Sequence, residues 1–404
     1  MNSEVTVVLG DVSLRATVTG TGPTVLLLHA GGEQRGVWAP ISPRIAAGGL
    51  RTVAYDLRGH GESTGRATTL RALRDDVIEM VRRESTPIVV VGASIGGLAA
   101  IAALAEPAVA RGVVGLVLVD VVPCPDPDRV RSWLGARGLA DRRADLVEDT
   151  LTWGPALHAT AVASDLPILL VHAGRSPLSA AEVDRFRAAN PRVTVTELPD
   201  VGHLVAQQAP TQLARIVSAC ATTWLAADQV VRGAFDLQRA LGSEHIEHPG
   251  GTLHAHLRRV HALTVEWDAA PRTRLAAICH ASYGTDGFAR ALLPAQDRGR
   301  LSDVIGPDAE ALVYLYGACD RERTHRDLGQ RPLTVIDRFT GEPRVIEGAL
   351  LRDFTVLTMA NELDVARHAS VSAPTREGIR NLVTALASYA PTEAARALAD
   401  EALA

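Results

Sequence analysis

Short, mainly apolar runs separated by helical patterns are the feature that most constrains the fold of residues 5–225. Continuous Val and Leu runs of this kind are typical of strands buried on both faces of a parallel sheet. Helical patterns such as Thr69–Arg83 and Ser94–Ala105 fall between them. The alternation predicts an α/β fold, a doubly wound and mostly parallel sheet. The apolar runs are Thr24–His29, Thr52–Tyr55, Ile88–Val91, Val113–Val119, Ile168–Val171 and Val193–Leu198.

The pattern changes near Asp228, after which helical periodicity dominates. Residues 1–228 therefore form one predicted domain and residues 229–404 a second, mainly α-helical domain. One β-like piece, Leu333–Phe339 with Arg344–Ile346, interrupts the helices. A chain of 404 residues is longer than one core usually serves, which favours the same division.

Composition narrows the classes of partner. A formal net charge of -5 carries no basic excess for nucleic acid or an anionic membrane. No apolar stretch approaches ~20 residues, so we expect no membrane span. The four cysteines lie far apart without a CxxC pair, and the first residues lack a signal-peptide pattern. We expect a cytoplasmic protein that acts on a small molecule, with a homodimer left open.

The segment Gly92-Ala93-Ser94-Ile95-Gly96-Gly97 lies between a buried strand and an alanine-rich helix. G-x-S-x-G in this position makes a sharp turn that raises the serine hydroxyl above the carboxyl edge of the sheet. The glycines are needed because side chains beside the serine would clash. Ser94 is the predicted nucleophile, and the Ile95 amide, at the start of the helix, is a predicted oxyanion donor.

Four segments in this order resemble the α/β-hydrolase superfamily across residues 1–225: Leu26–Gly32, Tyr55–Ser63, Gly92–Gly97 and Gly202-His203. The resemblance implies that His203, just past the last strand, is the catalytic base. It implies that Gly31 supplies the second oxyanion amide, and that His29 and His60 are structural turn residues. It implies no cofactor for this domain.

The third member of the expected catalytic triad, a carboxylate, is harder to identify from the sequence than Ser94 and His203. The resemblance places it after the strand Ile168–Val171, but Ser176-Pro177 stand there. Asp120 ends the preceding strand, where dehalogenase-like members carry their acid, and is the predicted third member. A strand-end Asp120 that only caps a loop, or a dyad without an acid, remains open. Asp200 lies too close to His203 along the chain to face its ring easily.

A serine nucleophile argues against dehalogenase and epoxide hydrolase chemistry, which use aspartate at the elbow of this fold. We predict a hydrolase of small esters, thioesters or lactones, with a short lid at about residues 123–166. Two alternatives stay open. One is a non-hydrolytic lyase, cyclase or acyltransferase of a biosynthetic pathway, and the other is a ligand-sensing module.

Histidines are concentrated in the second domain. His256 and His280, spaced 24 residues apart, resemble the HD-domain superfamily, a helical fold that binds metal through His and Asp. Ala281 replaces the signature aspartate, so the resemblance is to a degenerate HD-type domain. It implies a metal site for Fe, Mn or Zn with His256, His280 and Asp364 as ligands. Asn361 and Glu362, in the same late helical segment, are further possible ligands. A regulatory domain whose clustered histidines are solvated or cap helices is the alternative.

Overall fold

The protein is described by a computed structural model that divides into two compact units, Met1–Asp228 and Gln229–Ala404, and the boundary between them along the chain falls within the helix Pro210–Ala240. Parts of the predicted lid and of the second domain, including Ser388, lie outside the residues that the structure describes. All four cysteines are free, and no helix in the described part of the chain is long and apolar enough to cross a bilayer. The described residues are 2–85, 87–138, 144–324, 332–368, 373–387 and 389.

An eight-stranded sheet forms the first unit, with strand order β1-β2-β4-β3-β5-β6-β7-β8. The β1–β2 hairpin turns at Gly10-Asp11, and β2 pairs antiparallel with β4; the other pairs are parallel. This confirms the predicted mostly parallel sheet. The strands are β1 (Asn2–Leu9), β2 (Val12–Thr19), β3 (Thr24–Leu28), β4 (Arg51–Tyr55), β5 (Ile88–Ala93), β6 (Val113–Val119), β7 (Ile168–Arg175) and β8 (Val193–Gly202).

Helices cover both faces of this sheet. Successive strand residues point to opposite faces, so each strand contributes side chains to the apolar cluster on either side. In β3, Leu26 and Leu28 enter one buried cluster, whereas Val25 and Leu27 enter another. The helices are α1 (Ser42–Ala46), α2 (Leu70–Arg82), α3 (Ile95–Leu104), α4 (Pro107–Gly112), α5 (Pro127–Gly135), α6 (Ala144–Thr152), α7 (Gly154–Val162), α8 (Ala180–Ala189), α9 (Val205–Gln208) and α10 (Pro210–Ala240), with a 3₁₀ turn at Arg35–Trp38.

The excursion between β6 and β7 is the predicted lid region, and it is helical. It contains α5, α6 and α7, and α5 has no buried residue. A helix without a buried side chain contributes little apolar burial, so it is held weakly compared with the core helices.

The second unit is built from helices and two small hairpins around its own apolar core. Thr252 caps its first long helix by accepting a hydrogen bond from the Ala255 amide at 3.2 Å. Its elements are a 3₁₀ turn (Ser243–His245), β9 (Glu247–His248), β10 (Gly251–Thr252), α11 (Leu253–Glu266), α12 (Pro271–Cys279), α13 (Arg298–Ile305), α14 (Pro307–Ala318), α15 (Arg321–Thr324), β11 (Leu333–Ile336), β12 (Pro343–Ile346), α16 (Gly348–His368) and α17 (Ala373–Ala387).

Candidate active site

Ser94 lies between β5 and α3 in a backbone conformation that non-glycine residues seldom adopt, with φ 47° and ψ −117°. The neighbouring glycines make this turn possible. A Cβ on Gly92 would lie 2.5 Å from the Gly97 Cα, and one on Gly96 would lie 2.8 Å from the Leu28 and His29 carbonyl oxygens. The turn Gly92–Gly97 therefore packs closely against the end of β3, and its strained backbone fixes the position of the Ser94 hydroxyl.

Asp120 follows the last residue of β6, one strand from the nucleophile. The register pairs Ala93 with Val119, so Ser94 and Asp120 leave adjacent strands at the same edge. Asp120 also has a positive φ, 52°, and its side chain is buried. The Ala173 amide donates to its Oδ1 at 2.9 Å. One carboxylate oxygen is therefore held by backbone, which leaves the other for a second partner.

His203 supplies that second partner. It follows β8, and its Nδ1 lies 2.8 Å from Asp120 Oδ2. A carboxylate accepts, so Nδ1 carries the hydrogen and the neutral ring presents a lone pair at Nε2. The His203 side chain is 12% exposed and the Asp120 side chain is fully buried. The arrangement orients the imidazole and leaves Nε2 available as a base.

The Ser94 hydroxyl and His203 make no hydrogen bond with each other in this structure, although both residues are described. Catalytic hydrogen bonds are often long in the free enzyme and shorten when substrate binds. Ser94 stands beside Asp120 at the sheet edge, and His203 is bonded to Asp120. The serine is therefore next to the group that orients the imidazole.

Gly31, in the loop after β3, lies close to Ile95 at the start of α3. A Cβ on Gly31 would be 3.7 Å from the Ile95 Cγ2. Ile95 is the first residue of α3, so its amide has no acceptor within the helix. The structure thus brings the two residues close together, and their roles as oxyanion donors stay a prediction.

The histidines of the two neighbouring turns have backbone partners. The Leu57 amide donates to His29 Nε2 at 3.0 Å, and His29 Nδ1 lies 2.8 Å from the Ala30 carbonyl. His60 Nδ1 lies 3.0 Å from the Arg58 carbonyl. These contacts fit the structural roles that the sequence predicts for both rings.

Sequence reasoning missed Glu33, a buried carboxylate beside the oxyanion segment. Its Oε2 accepts from the Ala30 amide at 3.1 Å, and its Oε1 accepts from Gln207 Nε2 at 2.7 Å. Gln207 belongs to α9, four residues after His203. Glu33 therefore ties the Gly31 loop to the segment that carries the base. No local pattern marks a contact between residues 174 positions apart.

We expect Glu33→Leu to lower kcat for ester substrates by roughly 10-fold and to cost about 1–3 kcal/mol of unfolding free energy, because two donors lose their acceptor. Steady-state kinetics and thermal unfolding measure both effects. Glu197→Gln, at an exposed position, is the matched control. Wild-type kinetics in Glu33→Leu would remove Glu33 from the positioning of the site.

In the second unit, the structure brings His256 and His280 together, with 3.2 Å between their Nε2 atoms. Burial lowers the pKa of His280 to about 3. Asp364 contacts the other side of the first ring, at 2.7 Å from His256 Nδ1. Burial opposes its ionisation, but hydrogen bonds from His256 and Arg259 lower the pKa of Asp364 to about 2.

The predicted ligand set of His256, His280 and Asp364 therefore needs a correction. A carboxylate at Nδ1 cannot share an ion with a second ring that faces Nε2. Within the described ranges, no three His, Cys, Asp or Glu side chains are arranged to hold a metal ion. The side chain that does join the two Nε2 atoms is Asn361, whose Oδ1 lies 3.1 Å from His256 Nε2.

Comparison with known proteins gives a separate family-model match for each of two stretches of the chain. Residues 25–216 match the profile described as alpha/beta hydrolase family. Residues 237–321 match one described as a domain of unknown function, DUF6817. The HD-type relationship predicted for this region is not supported by that match and stays a prediction.

Individual relatives match only part of the chain. Protein phosphatase methylesterase 1 of Bos taurus is 33% identical over 132 residues, 30% of this chain and 34% of that protein. Esterase Rv0045c of Mycobacterium tuberculosis is 39% identical over 110 residues, 26% of this chain and 35% of that protein. The chain thus spans about a third of the length of these curated relatives. A putative aryl esterase from Burkholderia cenocepacia, a solved structure, has TM-score 0.47 and 22% identity over 55% of this chain and all of that chain.

Proposed function

Because residues 25–216 form an α/β-hydrolase domain, we propose that this protein hydrolyses a small carboxylic ester, thioester or lactone through an acyl-enzyme on Ser94. One observation carries the proposal: His203 donates from Nδ1 to the buried Asp120 at the sheet edge where Ser94 stands. A serine becomes a useful nucleophile when an oriented base can take its proton.

In the proposed reaction, Ser94 Oγ attacks the carbonyl carbon while His203 Nε2 takes the hydroxyl proton. Negative charge develops on the carbonyl oxygen, and the Ile95 and Gly31 amides donate to it. His203 then gives its proton to the leaving group. A water molecule then attacks the acyl carbon while His203 Nε2 takes its proton. His203 returns that proton to Ser94 Oγ as the bond between Oγ and the acyl carbon breaks, which releases the acid and regenerates Ser94.

Asp120 has two functions in this scheme. It fixes the tautomer that leaves a lone pair at Nε2, and its charge stabilises the imidazolium that forms after proton transfer. The carboxylate is fully buried. Because water is excluded from the carboxylate, its charge is screened weakly and its interaction with the nearby imidazolium is strong.

The lid favours a small acyl or alcohol group. Trp133 of α5 packs its ring edge against His203, with 4.7 Å between ring centroids. Arg137 lies over the same indole, 4.2 Å from its centroid. An aromatic ring so close to the base limits the room above it.

We expect Trp133→Ala to shift the preference toward longer acyl chains, since truncation opens space beside His203. The ratio of kcat/KM for p-nitrophenyl octanoate to that for p-nitrophenyl acetate should rise by about 10-fold, because contacts in a substrate pocket contribute on the order of 1–3 kcal/mol to discrimination between substrates. Trp153→Ala, a change in the same lid at a half-buried position, is the control. An unchanged ratio would remove Trp133 from substrate selection.

Turnover of a p-nitrophenyl ester series in ¹⁸O-labelled water tests the proposal directly. Hydrolysis predicts release of p-nitrophenol and one labelled oxygen in the acid product. Transfer to an added alcohol or amine without labelled acid would instead favour an acyltransferase. The absence of any turnover across ester, thioester and lactone substrates would contradict the proposal and favour the lyase, cyclase or sensing alternatives.

A further inference from the structure

Three buried side chains of the second unit direct acceptor atoms toward one another: His256 of α11, His280 at the end of α12, and Asn361 of α16. His256 Nε2 lies 3.2 Å from His280 Nε2 and 3.1 Å from Asn361 Oδ1. The two histidines are each 1% exposed and Asn361 is 8% exposed. The cluster is thus enclosed by protein.

Hydrogen bonds behind each histidine place the ring hydrogen on the far nitrogen. His280 Nδ1 lies 2.9 Å from the Ala277 carbonyl, which only accepts, so Nδ1 carries the hydrogen. His256 Nδ1 donates to Asp364 Oδ2 at 2.7 Å. When each ring is neutral, its Nε2 therefore carries a lone pair, and both Nε2 atoms face the cluster.

The side-chain amide of Asn361 also directs its oxygen into the cluster. Its Nδ2 donates to Glu362 Oε1 at 3.0 Å, so its Oδ1 is the atom that faces the imidazoles. Arg321 Nη1 donates to the same Glu362 oxygen at 2.8 Å. The amide therefore contributes a third acceptor to the space between the rings.

The charge of Asp364 is balanced without a second proton on His256. Arg259 donates to both of its oxygens, at 2.6 and 2.9 Å. Three acceptors that face one another in a buried space are unfavourable unless an electron-pair acceptor joins them.

We propose that His256 Nε2, His280 Nε2 and Asn361 Oδ1 bind one divalent first-row transition metal ion. Imidazole nitrogens with one amide oxygen suit such ions. Two nitrogens about 2.1 Å from a common ion would lie 3.2 Å apart at an angle of roughly 100°. Both rings donate their other N–H to a carboxylate or a carbonyl, as metal-binding histidines do. Three protein ligands leave at least one coordination position for a small ligand such as water.

This ligand set differs from the one that the sequence predicts. Asp364 acts from behind His256, as an acceptor that orients the ring, and Asn361 is the oxygen ligand. The two assignments predict different variants to fail, so they can be separated by experiment.

Zn²⁺ titration of the full chain, after removal of metals with a chelator and exchange into metal-free buffer, tests the site by calorimetry. Wild type should bind one ion per chain with a rise in melting temperature. His256→Gln and Asn361→Leu should weaken binding by at least about 100-fold. Asn361→Asp, which keeps an oxygen ligand, should bind at least as tightly as wild type. Asp364→Asn should weaken binding by about 10–100-fold, as loss of an orienting partner does.

His254→Gln is the matched control, because His254 is also buried in α11 but bonds to Ser243. It should bind Zn²⁺ as wild type does. Wild type that takes up no ion, or Asn361→Leu with wild-type affinity, would overturn the proposal in favour of a proton shared between the two rings. Circular dichroism checks folding. If His256→Gln does not fold, the contrast between Asn361→Leu and Asn361→Asp decides.

Discussion

Ser94→Ala is expected to lower kcat for p-nitrophenyl esters by about 10⁶-fold, the scale on which loss of a triad serine acts. The methyl group cannot form the acyl-enzyme, while the Ile95 and Gly31 amides still bind the carbonyl oxygen. We therefore expect KM to change much less than kcat. The strained turn should persist because the flanking glycines are unchanged, so the variant should fold.

Stopped-flow kinetics adds a second measurement of the same variant. Wild type should give a burst of p-nitrophenol before steady state if deacylation is slower than acylation, and Ser94→Ala should give none. Ser85→Ala, at an exposed position, controls for loss of a hydroxyl elsewhere. Activity in Ser94→Ala above about 1% of wild type would contradict the assignment of the nucleophile.

Asp120→Asn is expected to lower kcat by about 10⁴-fold. An amide at this position can donate to His203 Nδ1, which stabilises the tautomer with hydrogen on Nε2 and removes the lone pair that should take the serine proton. It also removes the buried negative charge that stabilises the imidazolium. KM should change little, since Asp120 is buried beneath the histidine.

Asp200→Asn separates this role from a general effect of negative charge near the base. Asp200 lies three residues before His203 but is exposed and pairs with Arg175 at 2.8 Å. Its replacement should leave kcat within about 2-fold of wild type, because exposed ion pairs contribute little. Near-normal turnover in Asp120→Asn would favour a Ser94–His203 dyad and leave Asp120 as a strand-end structural residue.

The parallel part of the sheet could be predicted because most of its strands contain short, mainly apolar runs bounded by turns. Parallel order then places the carboxyl ends of β5 and β6 side by side, which is why a strand-end Asp120 could be identified next to Ser94. The positive φ of Asp120 has no sequence signal, since aspartate carries no mark of the backbone conformation that its neighbours impose.

Contacts between distant loops could not be predicted in the same way. Glu33 and Gln207 are 174 positions apart, and neither lies in a periodic segment that would reveal a shared surface. The short strands β9 and β10 are not predicted either, because a few residues give too little periodicity to distinguish a strand from a loop.

In the second unit, sequence could not decide which side chain of α16 acts as a ligand. Asn361 and Asp364 are three residues apart in α16, so both lie on one helix face and both can reach His256. The HD-type resemblance implies that an oxygen-bearing side chain from this helix meets the histidines, but it does not show which ring nitrogen each side chain contacts. That choice depends on how α11 and α16 pack, and it decides which residue is a ligand.

Covalent labelling with a fluorophosphonate, followed by peptide mass spectrometry, tests the central claim most directly. The account predicts one phosphonylated residue per chain, Ser94. The label should be absent from Ser94→Ala, and labelling should be at least about 10³-fold slower in Asp120→Asn. A wild-type chain that is not labelled, or is labelled at another residue while Ser94 stays free, would contradict the account.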